Sequence, residues 1–407
     1  MTIEVRPLGN DDSSWERLAH VDSLSFYEDS RERTPHNDGG VVEFDRSVLA
    51  YDGQEPVGCS SIYSLNLSVP GTSLPTAGVT WVGTVPTRRR RGVMTALMRS
   101  LHDSVHARGE EPLLALWASQ GVLYQRFGYG VASHSYLATI PHRLSLAHAP
   151  DGRLRVDQVD AADDRDQTLA VYDAVRAVRP GMPELTPPWH ERNLADPDDS
   201  RDGGSRLRTY VASDASGPKG YVRLRYKHDW SQGYGDGLIT VNEMLCASPE
   251  AAATLYQLLL DTDIMTRTRV WNLAVDDPIL TWLDDPKQVQ LGRRDQLYVR
   301  LTTIDALARR GYSAPLDVVL EVHDAFHPWN EGRWRLQADT DGSSSERTDA
   351  SPDVELDVSV LGATYLGSSR WGTLALAGQV AELRAGSVAA LDAAFGWPVA
   401  AWCPFVF

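Results

Sequence analysis

Strand-like hydrophobic runs fill the early part of the chain. Residues 48–52 and 57–69 predict the two strands of a hairpin, because Gly53 and Pro56 supply turn signals between them. The next run, 77–85, is rich in β-branched residues and predicts a third strand. The beginning of the chain therefore contributes a β-sheet.

A helix and a further strand follow these runs. Apolar residues recur at i, i+4 spacing from Val93 to Val105, which is typical of an amphipathic helix. Gly109 then predicts the end of that helix, and the wholly apolar run 113–117 predicts a buried strand. The predicted order is strand, basic turn, helix, strand.

A later segment repeats this order. Residues 238–245 predict a strand, 251–260 a helix and 269–275 another strand, and placing Pro249 on Pro86 aligns these elements with the earlier ones. The later copy reads PEAAAT where the earlier one reads PTRRRRG, so it lacks the glycine and the positive charge that favour phosphate. The pattern indicates a diverged internal duplicate.

The pattern changes again from about residue 306. Strand-like runs near 318–322, 334–338 and 354–360 precede a predicted helix at 387–395. The most polar stretch of the chain, 341–353, predicts a loop. This last part is therefore expected to be a separate domain.

The length of the chain fits the same division. A chain of 407 residues is too long for one core and accommodates two or three domains. We expect an α/β (α+β) protein with domains at 1–150, 151–300 and 301–407. Its apolar fraction of 42% and charged fraction of 23% are typical of a soluble globular protein.

Composition restricts the chemistry. Cys59, Cys246 and Cys403 are far apart and odd in number, and no CxxC or His/Cys cluster has metal-ligand spacing, so we expect neither disulfides nor a metal site. The net charge of −16 disfavours binding to nucleic acid, because phosphates would be repelled. The same charge is compatible with a cationic substrate, although many soluble proteins are acidic without such a role.

Membrane insertion and export are not expected. No apolar run approaches the ~18 residues that a membrane span needs. The first residues, MTIEVRPLGNDD, carry acidic side chains where a signal peptide would have its apolar stretch. The expected location is the cytoplasm.

The segment 82–98, VGTVPTRRRRGVMTALM, carries the clearest chemical signal. A strand runs into a basic, glycine-containing turn that opens a helix, where unpaired N–H groups and the helix dipole favour a pyrophosphate. Gly92 allows close approach of a phosphate, and the run Arg88–Arg91 supplies positive charge. Four arginines alone are also compatible with a solvated turn or a nucleic-acid patch, but the strand before and the helix after favour phosphate. A Walker A loop and a Rossmann fingerprint are both excluded by the residues present.

Two motifs resemble known acetyltransferases. The turn, with Arg89-x-x-Gly92-x-Met94, resembles the Gln/Arg-x-x-Gly-x-Gly/Ala motif of the GCN5-related N-acetyltransferases (GNAT), with Met94 departing from the usual small residue. VPTRRRRGVM together with LWASQGVLYQRFGYGVAS (116–133) resembles the Eis (enhanced intracellular survival) subfamily. The resemblance implies two tandem GNAT-like modules, the second degenerate, followed by a domain like sterol carrier proteins.

The resemblance also implies an activity. It predicts direct transfer of acetyl from acetyl-CoA to a primary amine of an aminoglycoside, a polyamine or a lysine, and it predicts a homohexamer. The alternative from another class is a non-catalytic acyl-CoA or lipid carrier. The implied cofactor-binding residues are Val82, Gly83, Thr84, Arg90, Arg91, Gly92, Val93, Met94, Thr95, Ser119 and Gln120.

The implied catalytic residues are a tyrosine and the end of the chain. Tyr124 matches the general acid of the subfamily, since a phenol can protonate the leaving thiolate, whereas Tyr129 is expected to be structural. The α-carboxylate of Phe407 matches the general base, and the apolar tail AAWCPFVF is expected to be buried. A tail that only closes the core remains the alternative, with His134 as the next candidate base.

The substrate pocket is expected near the segment 24–30, LSFYEDS. Phe26 and Glu28 are its candidate wall residues. Val406 stands at the penultimate position, where some aminoglycoside-acetylating relatives carry an acidic residue. That difference puts aminoglycosides in question as substrates, but not acetyl transfer itself.

Overall fold

The computed structural model describes residues 3–28, 40–151, 153–160, 163–231, 233–339 and 342–407. The chain forms two compact units. The first unit consists of Met1–Ser133, Gln296–Ala401 and Val406–Phe407, and the second of His134–Asp295 and Trp402–Phe405. The chain therefore leaves the first unit after Ser133 and returns to it at Gln296.

The described strands and helices are numbered in chain order. The strands are β1 (Ile3–Pro7), β2 (Ser47–Asp52), β3 (Glu55–Val69), β4 (Thr72–Thr84), β5 (Leu113–Trp117), β6 (Gly130–Val131), β7 (His134–Pro141), β8 (Arg155–Val159), β9 (Arg208–Asp214), β10 (Gly217–Lys227), β11 (Trp230–Ser231), β12 (Tyr234–Gly235), β13 (Gly237–Cys246), β14 (Met265–Ala274), β15 (Gln290–Asp295), β16 (Leu297–Leu301), β17 (Leu316–His323), β18 (Gly332–Ala338), β19 (Ser343–Arg347), β20 (Val354–Asp357) and β21 (Val380–Glu382). The helices are α1 (Ser14–Phe26), α2 (Val93–Arg108), α3 (Val122–Gln125), α4 (Asp164–Arg176), α5 (Pro187–Leu194), α6 (Pro249–Leu260), α7 (Ile279–Trp282), α8 (Val358–Thr364), α9 (Trp371–Leu376) and α10 (Ser387–Phe395).

A seven-stranded sheet forms the first part of the first unit, in the order β1-β2-β3-β4-β5-β16-β6. The predicted hairpin is β2 and β3, and the predicted order of strand, turn, helix, strand is confirmed as β4, α2 and β5. β4 and β5 pair in parallel over a short length, from Thr76↔Leu113 to Gly78↔Ala115. β16 follows the second unit in sequence, yet it pairs antiparallel with β5.

The α2 helix covers one face of this sheet. Its apolar stripe buries Met98, Leu101 and Val105 beside sheet residues such as Ala77 and Val79. Gly109 ends the helix with a positive φ of 67°, as the sequence predicts. Burial of this stripe fixes where the basic turn before α2 lies relative to β4.

A second seven-stranded sheet forms the second unit, in the order β15-β7-β14-β13-β10-β9-β8. β13 pairs in parallel with β14 from Gly237↔Met265 to Val241↔Val270, and α6 connects them. This repeats the relation of β4, α2 and β5. The predicted internal duplication is confirmed at the level of topology.

A five-stranded sheet, β19-β18-β17-β20-β21, belongs to the first unit. α8, from the same part of the chain, approaches β16 and β6 so closely that a Cβ on Gly362 would lie 2.0 Å from the carbonyl oxygen of Val299. A Cβ on Gly130 would likewise lie 1.9 Å from the Ser359 carbonyl oxygen. Only glycine fits at these two points.

Two predictions for this region are wrong in part. Residues 354–360 do not form one strand, because β20 ends at Asp357, whose side chain accepts a hydrogen bond from the Ser359 N–H (2.9 Å) and caps α8. Residue 341 of the polar stretch 341–353 lies outside the described residues, and the rest is not all loop, because Ser343–Arg347 pair with β18. The predicted helix at 387–395 is confirmed as α10.

No helix among the residues that the structure describes is both long and apolar enough to cross a membrane. The same residues include no group of three or more His, Cys, Asp or Glu side chains placed to hold a metal ion. The three cysteines are free thiols.

Candidate active site

The parallel pairing of β4 and β5 stops at Gly78 and Ala115, and β4 continues to Thr84. A β-bulge lies in this continuation, where the register between β3 and β4 shifts and Trp81 has a φ of +54°. The Trp81 indole donates to the Tyr63 hydroxyl at 2.7 Å, and the Trp81 carbonyl accepts from the Cys59 thiol at 3.1 Å. These bonds hold the unusual backbone in place.

The three residues implied to bind the pantetheine arm, Val82–Thr84, follow the bulge. Gly83 and Thr84 pair with β3 on one side. On the other side, the described part of β5 does not pair with them. A Cβ on Gly83 would lie 2.8 Å from the Ser25 side chain, so a larger residue does not fit there without displacing α1. The open edge of β4 offers main-chain hydrogen-bonding groups to an extended ligand.

Arg88 and Arg89 of the basic turn bind residues of β2, the start of β3 and the end of α1. Arg88 forms ion pairs with Asp52 (3.0 Å) and Glu55 (2.8 Å). Arg89 donates to the Tyr27 hydroxyl and to the Ser25 carbonyl oxygen, both at 2.8 Å, and so joins the turn to the end of α1. The run of four arginines alone does not separate these two residues from their neighbours, whereas the family resemblance implies cofactor binding only for Arg90 and Arg91.

The other part of the turn faces solvent. Arg90, Arg91 and Gly92 are exposed, and Arg90 and Gly92 have φ values of +60° and +85°. Gly92 is the N-cap of α2, and in the described chain no side chain caps this end and no acidic residue lies in its first turn. The N–H groups that begin at Val93 therefore remain for an anion, beside two arginine side chains.

The implied cofactor residues fall into two groups. One group follows the open edge of β4 and the start of α2, as described above. Ser119 and Gln120 are exposed and lie between the end of β5 and α3. One group thus follows β4 and the other follows β5, and these two strands are parallel neighbours.

Tyr124 and Tyr129 differ in what their hydroxyls contact. Tyr124 lies in α3 with 5% of its surface exposed, and burial raises its pKa to about 12. In the described chain, no hydrogen bond involves its hydroxyl. The Tyr129 hydroxyl, by contrast, lies 2.9 Å from Nε2 of the buried His102, and the two tyrosine rings are 6.0 Å apart. Tyr124 therefore has the hydroxyl that a ligand can engage.

Arg300 supports the loop that follows Tyr124. Its guanidinium donates to the Phe127 carbonyl oxygen and forms a buried ion pair with Asp324 at 2.6 Å. A Cβ on Gly128 would collide with this guanidinium, and the φ of Gly128 is +81°. Arg300 is not among the residues expected from the sequence, although a lone arginine within the apolar strand QLYVRL is a usable signal.

The predicted burial of the tail is confirmed. Phe407 is 5% exposed, and a Cβ on Gly78 would lie 3.3 Å from Cδ2 of its ring. Ala77 and Val79 share an apolar cluster with Tyr124, and side chains alternate along a strand, so Gly78 faces the other side of the sheet. The Phe407 ring and Tyr124 thus border β4 from opposite faces, next to the point where β4 and β5 separate.

The remaining candidates lie at the edges of this arrangement. Phe26 (38% exposed) and the exposed Glu28 lie at the end of α1. Val406 is 44% exposed. His134 begins β7 in the second unit, where burial is the main cause that lowers its pKa and the charge of Arg293 adds to it.

Comparisons with known proteins agree with this architecture. Two family models of an acetyltransferase (GNAT) domain match residues 4–132 and 181–301, and a model of a sterol carrier protein domain matches residues 304–404. The predicted fold class is confirmed. The fold and the opening in the first sheet together define a GNAT acyltransferase with a duplicated module.

Individual relatives narrow the class further. A Streptomyces avermitilis protein described as an uncharacterized N-acetyltransferase is 39% identical over 413 residues, covering 100% of both chains. The N-acetyltransferase Eis of Mycobacterium tuberculosis is 32% identical over 385 residues, covering 90% of each chain. The crystal structure of Eis1 from Mycobacterium abscessus has a TM-score of 0.85 at 30% identity and covers 99% of this chain and 100% of that one. The chain belongs to the Eis family of N-acetyltransferases, and its GNAT fold implies acetyl-CoA as the co-substrate.

Proposed function

We propose that this enzyme transfers acetyl directly from acetyl-CoA to the primary amine of a cationic substrate, in the first module. The observation that carries the proposal is the pair of groups beside the opening of the sheet: a buried phenol with an unengaged hydroxyl on one face of β4, and the buried last residue of the chain on the other. Direct transfer is assisted by an acid near the leaving sulfur and a base near the attacking amine.

Acetyl-CoA fits the opening between β4 and β5. Main-chain groups of Val82–Thr84 bind the pantetheine arm and polarise the thioester carbonyl. Ser119 and Gln120 contact the cofactor further along the arm. The exposed Arg90 and Arg91 hold the pyrophosphate, together with the N–H groups of the first turn of α2 (Val93, Met94 and Thr95) and the open space at Gly92.

Proton movements then follow from the two catalytic groups. The substrate ammonium loses a proton to the Phe407 α-carboxylate through water, because a carboxylate with an ordinary pKa of ~3.3–3.7 is a weak base for direct transfer. The amine nitrogen bonds to the acetyl carbon, and the carbon–sulfur bond breaks as the tetrahedral intermediate collapses. Tyr124 donates its proton to the leaving sulfur, and the second proton that the nitrogen loses as the amide forms restores the phenol through water. Burial keeps the Tyr124 pKa at about 12, so the hydroxyl is protonated at neutral pH.

The substrate class rests on charge. The net charge of −16 favours cations, and the exposed end of α1 with Phe26 and Glu28 supplies candidate wall residues. Val406 offers no carboxylate to an aminoglycoside, so we rank polyamines and lysine side chains ahead of aminoglycosides. We further propose a homohexamer in the cytoplasm, for which light scattering is the test: the mass of one chain would contradict it.

The deciding experiment is a substrate screen. Aminoglycosides, polyamines and lysine peptides are incubated with acetyl-CoA, and released thiol is measured with a thiol reagent. We expect thiol release that depends on both a primary amine and the enzyme, with mass spectrometry finding one acetyl group per modified amine. Acetyl trapped on the protein in the absence of amine would contradict direct transfer.

A further inference from the structure

The second unit contains a cavity of about 310 Å³ at the place where β13 and β14 separate. Their parallel pairing ends at Val241 and Val270, and the residues that follow on both strands line the cavity. The exposed Ala247 and Pro249, at the start of α6, also line it and connect it to the surface. The volume lies at the small end of the range for ligand pockets.

This cavity has the topological position of the opening proposed for acetyl-CoA in the first module, but its chemistry is different. The Ser248 hydroxyl already accepts a hydrogen bond from the Ala251 N–H at 3.3 Å, and Pro249 has no N–H to offer. Glu250 adds a negative charge in the first turn of α6. A pyrophosphate is therefore disfavoured here.

The walls of the cavity are rich in tryptophan. Trp271, Trp282 and Trp402 all line it, with apolar residues such as Val241 and Leu273 between them. Tryptophan is the best aromatic partner for a cation above its ring face. The walls therefore accept either an apolar group or an organic cation.

Two polar groups of the lining are acceptors that a ligand could engage. Asn242 Oδ1 is buried and has no hydrogen-bond partner among the described residues. The Asp277 carboxylate accepts from the Ile279 N–H (2.9 Å), and the Tyr256 hydroxyl also bonds to it. Burial raises the pKa of Asp277 to about 6, so it is mostly ionised at pH 7.5. These acceptors call for a hydrogen-bond donor.

The charges of the lining point in the same direction. Arg179 lines the cavity, but Asp276 already forms an ion pair with it at 2.8 Å. Glu243 also lines the cavity, and Arg223 neutralises it at 2.8 Å. Asp277 forms no ion pair among the described residues, although the charge of Arg179 acts on it too. Two carboxylates, Asp276 and Asp277, thus share one arginine, so a positively charged ligand complements this part of the lining.

We propose that this cavity is a second small-molecule site, which binds a small organic cation with an ammonium group on an apolar body. The tryptophans receive the apolar body, and Asp277 with Asn242 Oδ1 receives the ammonium hydrogens. The proposal does not depend on which amine the first module acetylates, since it concerns binding in the second module.

The test uses the full-length protein with phenethylamine, which is an ammonium ion at pH 7.5, and with its neutral analogue 2-phenylethanol. Calorimetry should detect binding of phenethylamine and much weaker binding of the alcohol. Asp277→Asn should raise the dissociation constant of phenethylamine about tenfold or more, as expected for losing a charged hydrogen bond. The matched control is Asp261→Asn, which removes the same charge from the exposed end of α6 and should leave binding unchanged.

A second variant locates the site independently. Ala252→Leu adds volume to a cavity-lining residue of α6 and should abolish binding of phenethylamine. Cooperative thermal unfolding of each variant shows that it is folded. Equal binding of amine and alcohol, or full affinity in Asp277→Asn, would overturn the ammonium assignment. Full affinity in Ala252→Leu, or no binding to the wild-type protein at millimolar concentration, would overturn the site.

Discussion

Replacing Tyr124 with phenylalanine tests the proposed acid directly. The hydroxyl has no hydrogen bond among the described residues, so its removal leaves no buried partner unsatisfied and should hardly change stability. We expect kcat to fall about 10²-fold, within the range for loss of a general acid and equal to about 2.7 kcal/mol of transition-state stabilisation. The affinity for acetyl-CoA should stay within about twofold, because the proton is donated only as the carbon–sulfur bond breaks.

Tyr129→Phe is the matched control. It removes the same atom from the neighbouring ring, but there the hydroxyl is bonded to His102 at 2.9 Å in a fully buried position. We expect a loss of about 1–3 kcal/mol in the free energy of unfolding, from an unsatisfied imidazole nitrogen, and only a small change in kcat. The two variants thus separate a catalytic effect from a structural one.

The assay follows thiol release at saturating amine and acetyl-CoA, with urea unfolding measured on the same preparations. A pH profile adds a second readout. Because burial raises the pKa of Tyr124 to about 12, this acid stays protonated up to pH 10. The pH profiles of kcat for the wild type and for Tyr124→Phe should therefore have the same shape up to that pH. Greater loss of kcat in Tyr129→Phe than in Tyr124→Phe would refute the choice of acid.

Three other predictions concern the cofactor, the base and the second module. Replacing Arg90 and Arg91 together with alanine should raise the calorimetric dissociation constant of acetyl-CoA about tenfold or more, and an unchanged constant would remove the pyrophosphate assignment. Adding a few residues after Phe407 should abolish turnover while acetyl-CoA still binds. Phe407→Ala keeps a terminal carboxylate and should retain part of the activity. Normal turnover in the extended enzyme would exclude the Phe407 α-carboxylate as the base. Asp277→Asn should increase the free energy of unfolding at pH 7.5 by up to about 3 kcal/mol. Burial raises the pKa of Asp277 from 3.8 to about 6 in the folded state, so the wild type loses stability as pH rises between these two values, and the variant does not. Urea unfolding at pH 4 should show no such gain, and a gain independent of pH would contradict this reason.

The hydrophobic pattern predicted those helices and strands that depend mainly on neighbouring residues in the sequence. α2 and α10 follow from apolar spacing with glycine near their ends, and the duplicated order of strand, helix, strand was readable from the sequence. The strand predicted at 354–360 failed because Asp357 caps a helix, a contact between neighbours that outweighs the β-branched residues around it. The strand β19 is polar and was predicted as part of a loop. Its pairing with β18 stabilises the strand, although its composition does not favour one.

The candidate site divides in the same way. The residues that border the opening, including the glycine turn and Tyr124, were chosen from motifs that are contiguous in sequence, and their roles stay predictions. The groups that support them are distant in sequence. Arg300 follows the second unit, whereas Phe127, whose carbonyl oxygen accepts its hydrogen bond, precedes that unit. Arg89 was grouped with the phosphate-binding arginines, yet its bonds to the end of α1 follow from a contact that no local pattern reveals. Non-local partners of this kind cannot be deduced from periodicity.

The order of the chain makes the first module dependent on residues that follow the second. Without β16, the apolar β5 would be an exposed sheet edge, a feature that favours aggregation. Without Arg300 on that strand, the loop after Tyr124 would lose the donor to its Phe127 carbonyl. Phe407, beside Gly78, comes from the very end of the chain. A fragment that stops before β16 therefore lacks an edge strand, a loop support and the proposed base at once, although residues 4–132 match an acetyltransferase (GNAT) domain model.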